Sequence, residues 1–137
     1  MYRVLITDDE KIEREGIKFL LSMEEGEYEI QEASNGKQAL NILRSQQIDF
    51  LLTDIKMPHM DGLELAEKAR EENPELPIVI FSGYSDFSFA QEAMRYGVKD
   101  YVLKPVDPDT FHETIEKVKA ELTDTKIKKQ KAEKEKN

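Results

Sequence analysis

The sequence predicts an α/β fold in which a parallel sheet is covered by helices on both faces. Three observations predict it. Five short apolar runs alternate with five helix patterns along the chain. Two of the runs, FLLT at 50–53 and IVIFS at 78–82, are almost continuously apolar, as strands covered on both faces are. The length of 137 residues suits one domain with one core.

The elements follow in order. YRVLIT at 2–7 is rich in β-branched residues and reads as a buried strand. Ile12, Gly16, Phe19, Leu20 and Met23 then share one helical face. YEIQEA at 28–33 alternates, as an edge strand does. Asn35-Gly36 turns into a helix carrying Ala39, Leu40, Ile42 and Leu43. After FLLT, the stretch Met57 to Gly62 reads as a loop whose turns Pro58 and Gly62 fix. A narrow stripe of Leu63, Ala66 and Ala69 follows. After IVIFS comes a stripe of Phe89, Ala90, Ala93 and Met94, with Gly97 as its stop. YVL at 101–103 is the last strand. Asp107 and Pro108 then supply a cap and a first helical position. The helix they start carries Phe111, Ile115, Val118 and Leu122 at 4-3-4 spacing.

Composition narrows the function classes. The 20 basic and 29 acidic residues give a net charge of −9. Six lysines and two glutamates place +4 in residues 126–137, so residues 1–125 carry −13. A body this acidic repels nucleic acid and suits a cation where carboxylates converge. There is no cysteine, which removes disulfides, thiolate metal sites and cysteine nucleophiles. No apolar stretch approaches the roughly 18 residues of a membrane span. With no opening signal peptide either, the expectation is a cytoplasmic protein without membrane partners.

In an open parallel sheet, ligands sit at the carboxyl ends of the strands. Those ends carry Asp8-Asp9, Asp54, Ser82 and Lys104. Converging carboxylates repel, and a hard divalent cation such as Mg²⁺ relieves the repulsion through oxygen ligands. A carboxylate beside such a cation can attack phosphorus and form an acyl phosphate. The ammonium of Lys104 and the hydroxyl of Ser82 would meet the charge on the phosphoryl oxygens.

The motifs LITDDE at 5–10, LLTDIKMPHMDGLEL at 51–65, IVIFSGYSD at 78–86 and KDYVLKPVD at 99–107 resemble the receiver domain of two-component response regulators. The resemblance covers about residues 1–120. It implies a flavodoxin-like (βα)5 fold with strand order 2-1-3-4-5. It implies that Asp8 and Asp9 bind Mg²⁺, and that Asp54 is both phosphoacceptor and metal ligand. The backbone carbonyl of Lys56 would be a further ligand. Ser82 and Lys104 would hold the phosphate, and Ser82 with Tyr101 would form the switch. Lys104-Pro105 is expected to be cis.

The resemblance also implies partners. A sensor histidine kinase would donate the phosphoryl group. Phosphorylation would remodel the face of the fourth helix, fifth strand and fifth helix, where Phe87, Phe89, Met94, Tyr96 and Tyr101 suggest a homodimer surface. The stretch 81–107 is similar to receivers followed by an AraC-type DNA-binding domain. The 17 residues after Ala120 cannot hold such a domain, so the chain is expected to be part of a transcriptional regulator whose DNA contact lies elsewhere.

Residues 1–122 are assigned to the receiver and 123–137 to a charged linker or tail. The 4-3-4 seam stops at Leu122, because Thr125 and Lys129 are polar. Lys56 and Tyr84, each two residues past a site residue, are expected to slow dephosphorylation by hindering water. His59 and His112 are read as outside the chemistry. Two rivals fit less well. An aspartate-nucleophile phosphohydrolase wants Asp-x-Asp after its first strand, where this chain has adjacent Asp8-Asp9. A receiver fold that is not phosphorylated would lack one of the site residues, and none is missing.

Overall fold

The register of the strands places four strand ends along one edge of the sheet. The structure, a computed structural model, describes residues 1–83 and 87–135. Tyr84 and the side chain of Phe87 lie outside the described residues. The strands β1 (Tyr2–Thr7), β2 (Tyr28–Ala33), β3 (Phe50–Asp54), β4 (Ile78–Ser82) and β5 (Asp100–Leu103) form one parallel sheet in the order β2-β1-β3-β4-β5. Thr7 pairs with Ala33 and Thr53, Asp54 with Phe81, and Ser82 with Leu103. The residues that follow β1 and complete β3, β4 and β5 therefore reach the same rim.

Strand alternation builds two cores. Leu5, Leu51, Ile78 and Ile80 face one side, against Leu40 of α2 (Gly36–Ser45), Leu65 and Ala66 of α3 (Gly62–Glu72) and Ala93 of α4 (Phe87–Arg95). Val4, Ile6, Phe50, Leu52, Val79 and Phe81 face the other, against α1 (Lys11–Ser22) and α5 (Pro108–Glu135). Phe81 and Phe111 stack there at 6.2 Å. Each such side chain contributes roughly 1.5–3 kcal/mol relative to exposure. The cap expected at Asp107 forms, with Thr110 N–H donating to Asp107 Oδ1 at 2.8 Å. Asn35, read from the sequence only as a turn residue, caps α2 by accepting from Gln38 N–H on Oδ1 at 2.9 Å. Gly97 ends α4 at φ +68°, a conformation that suits glycine.

Two helical faces differ from the sequence pattern. In α1 the buried residues are Ile17 and Leu21, while Ile12, Phe19 and Met23 are exposed. The inner stripe continues to Arg14, one turn before Ile17, and a charge at that position hides the stripe from an apolar count. In α4, Ala93 is buried but Met94 is exposed.

The last helix is longer than its apolar seam. Phe111, Ile115 and Val118 are buried, Leu122 is partly buried, and Ile127 beyond it is exposed. The helix nonetheless runs without a break to Glu135. Lys129 reaches Glu75 at 2.9 Å, an exposed pair of small energetic weight. His112, which the sequence sets aside, lies with Nδ1 2.9 Å from Glu24 Oε1 and ties α5 to the end of α1. No helix among the described residues is long and apolar enough to cross a membrane.

Candidate functional site

Backbone hydrogen bonds shape the rim. Asp8 N–H donates to the Ala33 carbonyl at 3.1 Å, so the chain leaves β1 still tied to β2. Glu10 N–H donates to Asp8 Oδ1 at 3.0 Å, and Arg14 donates to the Asp8 carbonyl at 2.8 Å. Beyond β3, Ile55 N–H donates to the Phe81 carbonyl at 3.1 Å, and Gly62 N–H donates to the Ile55 carbonyl at 2.7 Å. The loop from Lys56 to Asp61 is closed by that second bond. Lys104 N–H donates to the Ser82 carbonyl at 2.8 Å and holds the end of β5 against β4. The Lys104-Pro105 peptide is cis, as the resemblance implies.

The carboxylates of Asp8, Asp9 and Asp54 converge, with one oxygen of each within 4.8 Å of the others. Asp8 is buried, Asp54 half-buried and Asp9 exposed. Lys104 Nζ lies 3.3 Å from Asp8 Oδ2, 3.3 Å from Asp54 Oδ1 and 3.4 Å from Glu13 Oε2. Burial pushes both the Asp8 and Asp54 carboxyls above their ordinary value, and the nearby Lys104 ammonium only partly offsets it. Burial alone would lower Lys104, but Asp54, Asp8 and Glu13 hold its ammonium above the ordinary lysine value. Two unit charges about 4 Å apart interact by roughly 4 kcal/mol at an effective dielectric constant of 20. One ammonium shared among several carboxylates therefore leaves a site that still favours a cation. Three hard oxygen donors suit Mg²⁺, which takes one or two carboxylates and fills its remaining positions with water and phosphate oxygen.

The remaining sequence candidates fall around this cluster. Ser82 is fully buried at the end of β4. Tyr101 is half-buried and packs against the core on the α4 side of the sheet. Lys56 opens the loop after β3, with Nζ 5.4 Å from the Phe89 ring centroid. The sequence reading passed over Glu13 and Arg14. Glu13 reaches Lys104 from the first turn of α1, and a charged residue there resembles any solvated helix position.

Comparison with known proteins decides the family. Residues 4–116 match the response regulator receiver domain family. The chain belongs to that family. The uncharacterized transcriptional regulatory protein YesN of Bacillus subtilis is 38% identical over 132 residues, covering 96% of this chain and 36% of that protein. The transcriptional regulatory protein HptR of Staphylococcus aureus is 33% identical over 133 residues, covering 95% of this chain and 50% of HptR. The receiver chain thus spans about a third to a half of these relatives. Among solved structures, the receiver domain of AraT, a response regulator from Geobacillus stearothermophilus, is 43% identical with a TM-score of 0.79, over 91% of this chain and 98% of that one. TrrA of Thermotoga maritima, solved with Mg²⁺-BeF, is 33% identical with a TM-score of 0.77, over 86% and 99%. The strand order 2-1-3-4-5 expected of a receiver is the observed one.

Proposed function

We propose that this receiver accepts a phosphoryl group on Asp54 from a sensor histidine kinase, with Mg²⁺ held by Asp8, Asp9, Asp54 and the Lys56 carbonyl. The observation that carries the reading is the convergence of the Asp8, Asp9 and Asp54 carboxylates at the carboxyl edge of the sheet, with Asp8 and Asp54 paired to the Lys104 ammonium. TrrA, similar over most of this chain, was solved with Mg²⁺-BeF, which fits the same use of the site. An Asp54 carboxylate oxygen forms the new bond to phosphorus as the bond from phosphorus to the donor's imidazole nitrogen breaks. The electron pair of that bond stays on the imidazole. Lys104 neutralises phosphoryl oxygen charge, and the Ser82 hydroxyl donates a hydrogen bond to it. Bound Mg²⁺ supplies charge neutralisation of the carboxylates and of the phosphoryl oxygens. The chain turns over no separate substrate; it is phosphorylated and slowly loses its own phosphoryl group as water attacks phosphorus.

The test is incubation with acetyl phosphate followed by intact mass. One phosphoryl adduct should form with Mg²⁺ and none with excess EDTA. No adduct in Mg²⁺ would refute the reading.

The output assignments belong to the same proposal. Residues 1–122 form the receiver, and 123–137 are a charged linker to an AraC-type DNA-binding domain, helical as far as α5 runs, to Glu135. The transcriptional regulator relatives, which extend well beyond the matched region, support that reading. Movement of Ser82 toward the phosphoryl group and inward rotation of Tyr101 would alter the α4-β5-α5 face. Exposed Met94 and Leu103 on that face suit a phosphorylation-dependent homodimer. Sedimentation velocity should show a heavier species with beryllofluoride and Mg²⁺ than without; a monomer in both conditions counts against it.

A further inference from the structure

We propose that Arg14 is a positioning residue for the acidic pair: by holding the Asp8 carbonyl it sets the plane of the Asp8–Asp9 peptide, and so the placement of both carboxylates toward Mg²⁺. The inference rests on the Mg²⁺ reading above. Arg14 lies on the inner stripe of α1, and its side chain is only 15% exposed. Its guanidinium makes two directed contacts, NH1 to the Asp8 carbonyl at 2.8 Å and Nε to Glu32 Oε1 at 3.1 Å.

The peptide unit is planar, so fixing the Asp8 carbonyl also fixes the Asp9 N–H and the direction in which Asp9 leaves the chain. The neighbouring contacts complete the frame. Asp8 N–H is held by the Ala33 carbonyl, and Asp8 Oδ1 accepts from Glu10 N–H. The guanidinium is the side-chain donor on the Asp8 backbone, whereas Lys104 Nζ reaches the Asp8 carboxylate. Asp9 itself is exposed, so the backbone beneath it is what keeps its carboxylate near Asp8 and Asp54.

Glu32 makes the contact positional rather than electrostatic. A bare guanidinium beside the acidic pair would oppose a second cation. Glu32 takes Arg14 on Oε1 and Lys18 Nζ on Oε2 at 3.3 Å, and Lys18 also pairs with Glu15 at 3.2 Å. Two carboxylates thus balance the two cations, and the guanidinium is anchored on β2. Groups that orient metal ligands typically matter by about tenfold or more in metal affinity. The fork geometry also matters. A guanidinium reaches a carbonyl and a carboxylate at once, whereas a lysine ammonium is a point charge without that fork.

The test is calorimetric titration of the 137-residue chain with MgCl₂, for wild type, Arg14→Ala and Arg14→Lys. Mg²⁺ affinity should fall about tenfold in Arg14→Ala, and in the same direction, though less, in Arg14→Lys. The rate of labelling by acetyl phosphate should fall at low Mg²⁺ and recover toward wild type at saturating Mg²⁺. A merely structural role would lower the melting temperature without that recovery. If Arg14→Ala does not fold, Arg14→Lys decides alone. Wild-type Mg²⁺ affinity in the folded variants, or a labelling loss that saturating Mg²⁺ does not reverse, overturns the inference while leaving the site reading intact. Failure of the wild-type chain to bind Mg²⁺ overturns both.

Discussion

Replacing Asp54 by asparagine should remove the phosphoryl adduct completely while leaving the domain folded. The amide retains the shape of the side chain but has no anionic oxygen to attack phosphorus, and on the proposed reading Asp8 and Asp9 serve as metal ligands rather than as acceptors. The fold should tolerate the change because burial holds the Asp54 carboxyl above its ordinary 3.8. A carboxyl raised in this way favours its neutral form in the folded state. Its ionisation therefore costs stability increasingly as pH rises from 3.8 through the folded-state value, and fully above that. At pH 7 asparagine removes this cost, and Lys104 keeps Asp8 and Glu13 as partners. The melting temperature of Asp54→Asn, followed by circular dichroism without Mg²⁺, should not fall below that of wild type. An adduct on the variant equal to that on wild type would move the phosphoacceptor elsewhere.

Gly62→Ala should be the most damaging single-methyl substitution near the site. A Cβ at Gly62 would overlap the Asp54 carbonyl oxygen and would come within 2.9 Å of Ile55 Cα. Both neighbours are backbone, so no flexible side chain can yield. The same glycine donates to the Ile55 carbonyl at 2.7 Å, and any shift that relieves the overlap strains that bond and moves the end of β3. The expected loss is about 3 kcal/mol, or roughly 10 °C in melting temperature. Slower labelling by acetyl phosphate should accompany it. Gly16 in α1 is the contrast, because an added Cβ there meets nothing within 4 Å. Gly16→Ala should stabilise by roughly 1 kcal/mol through helix propensity alone. Equal melting temperatures for Gly62→Ala and wild type would contradict the close approach.

The sheet and the rim were legible because period and position carry them. FLLT and IVIFS are apolar at nearly every residue since helices cover both faces of β3 and β4, and both strands are buried almost throughout. Asp8, Asp9, Asp54 and Lys104 were legible because each follows or ends an apolar run, where a parallel sheet puts its ligands. What the pattern missed has a common physical cause. Arg14 occupies an inward position that an apolar count discards, because its charge is satisfied by a carbonyl and a carboxylate distant in sequence. Its absence from the stripe shifted the expected face of α1 toward Ile12, Phe19 and Met23, all of them exposed. Gly62 was legible as a turn residue, but not as the point where α3 starts directly against the carbonyl of Asp54; that closeness is tertiary. The seam of α5 correctly ended near Leu122, yet the helix continues, since lysine, glutamate, glutamine and alanine sustain a helix without burying a face.

The central claim is that Asp54 carries the phosphoryl group. It is tested most directly by labelling the wild-type chain with acetyl phosphate and Mg²⁺, reducing the acyl phosphate with borohydride, and sequencing the peptides by mass spectrometry. The account predicts homoserine at position 54 and at no other aspartate. Homoserine at Asp8 or Asp9, or an unreduced phosphate ester on a serine, threonine or tyrosine, would contradict it.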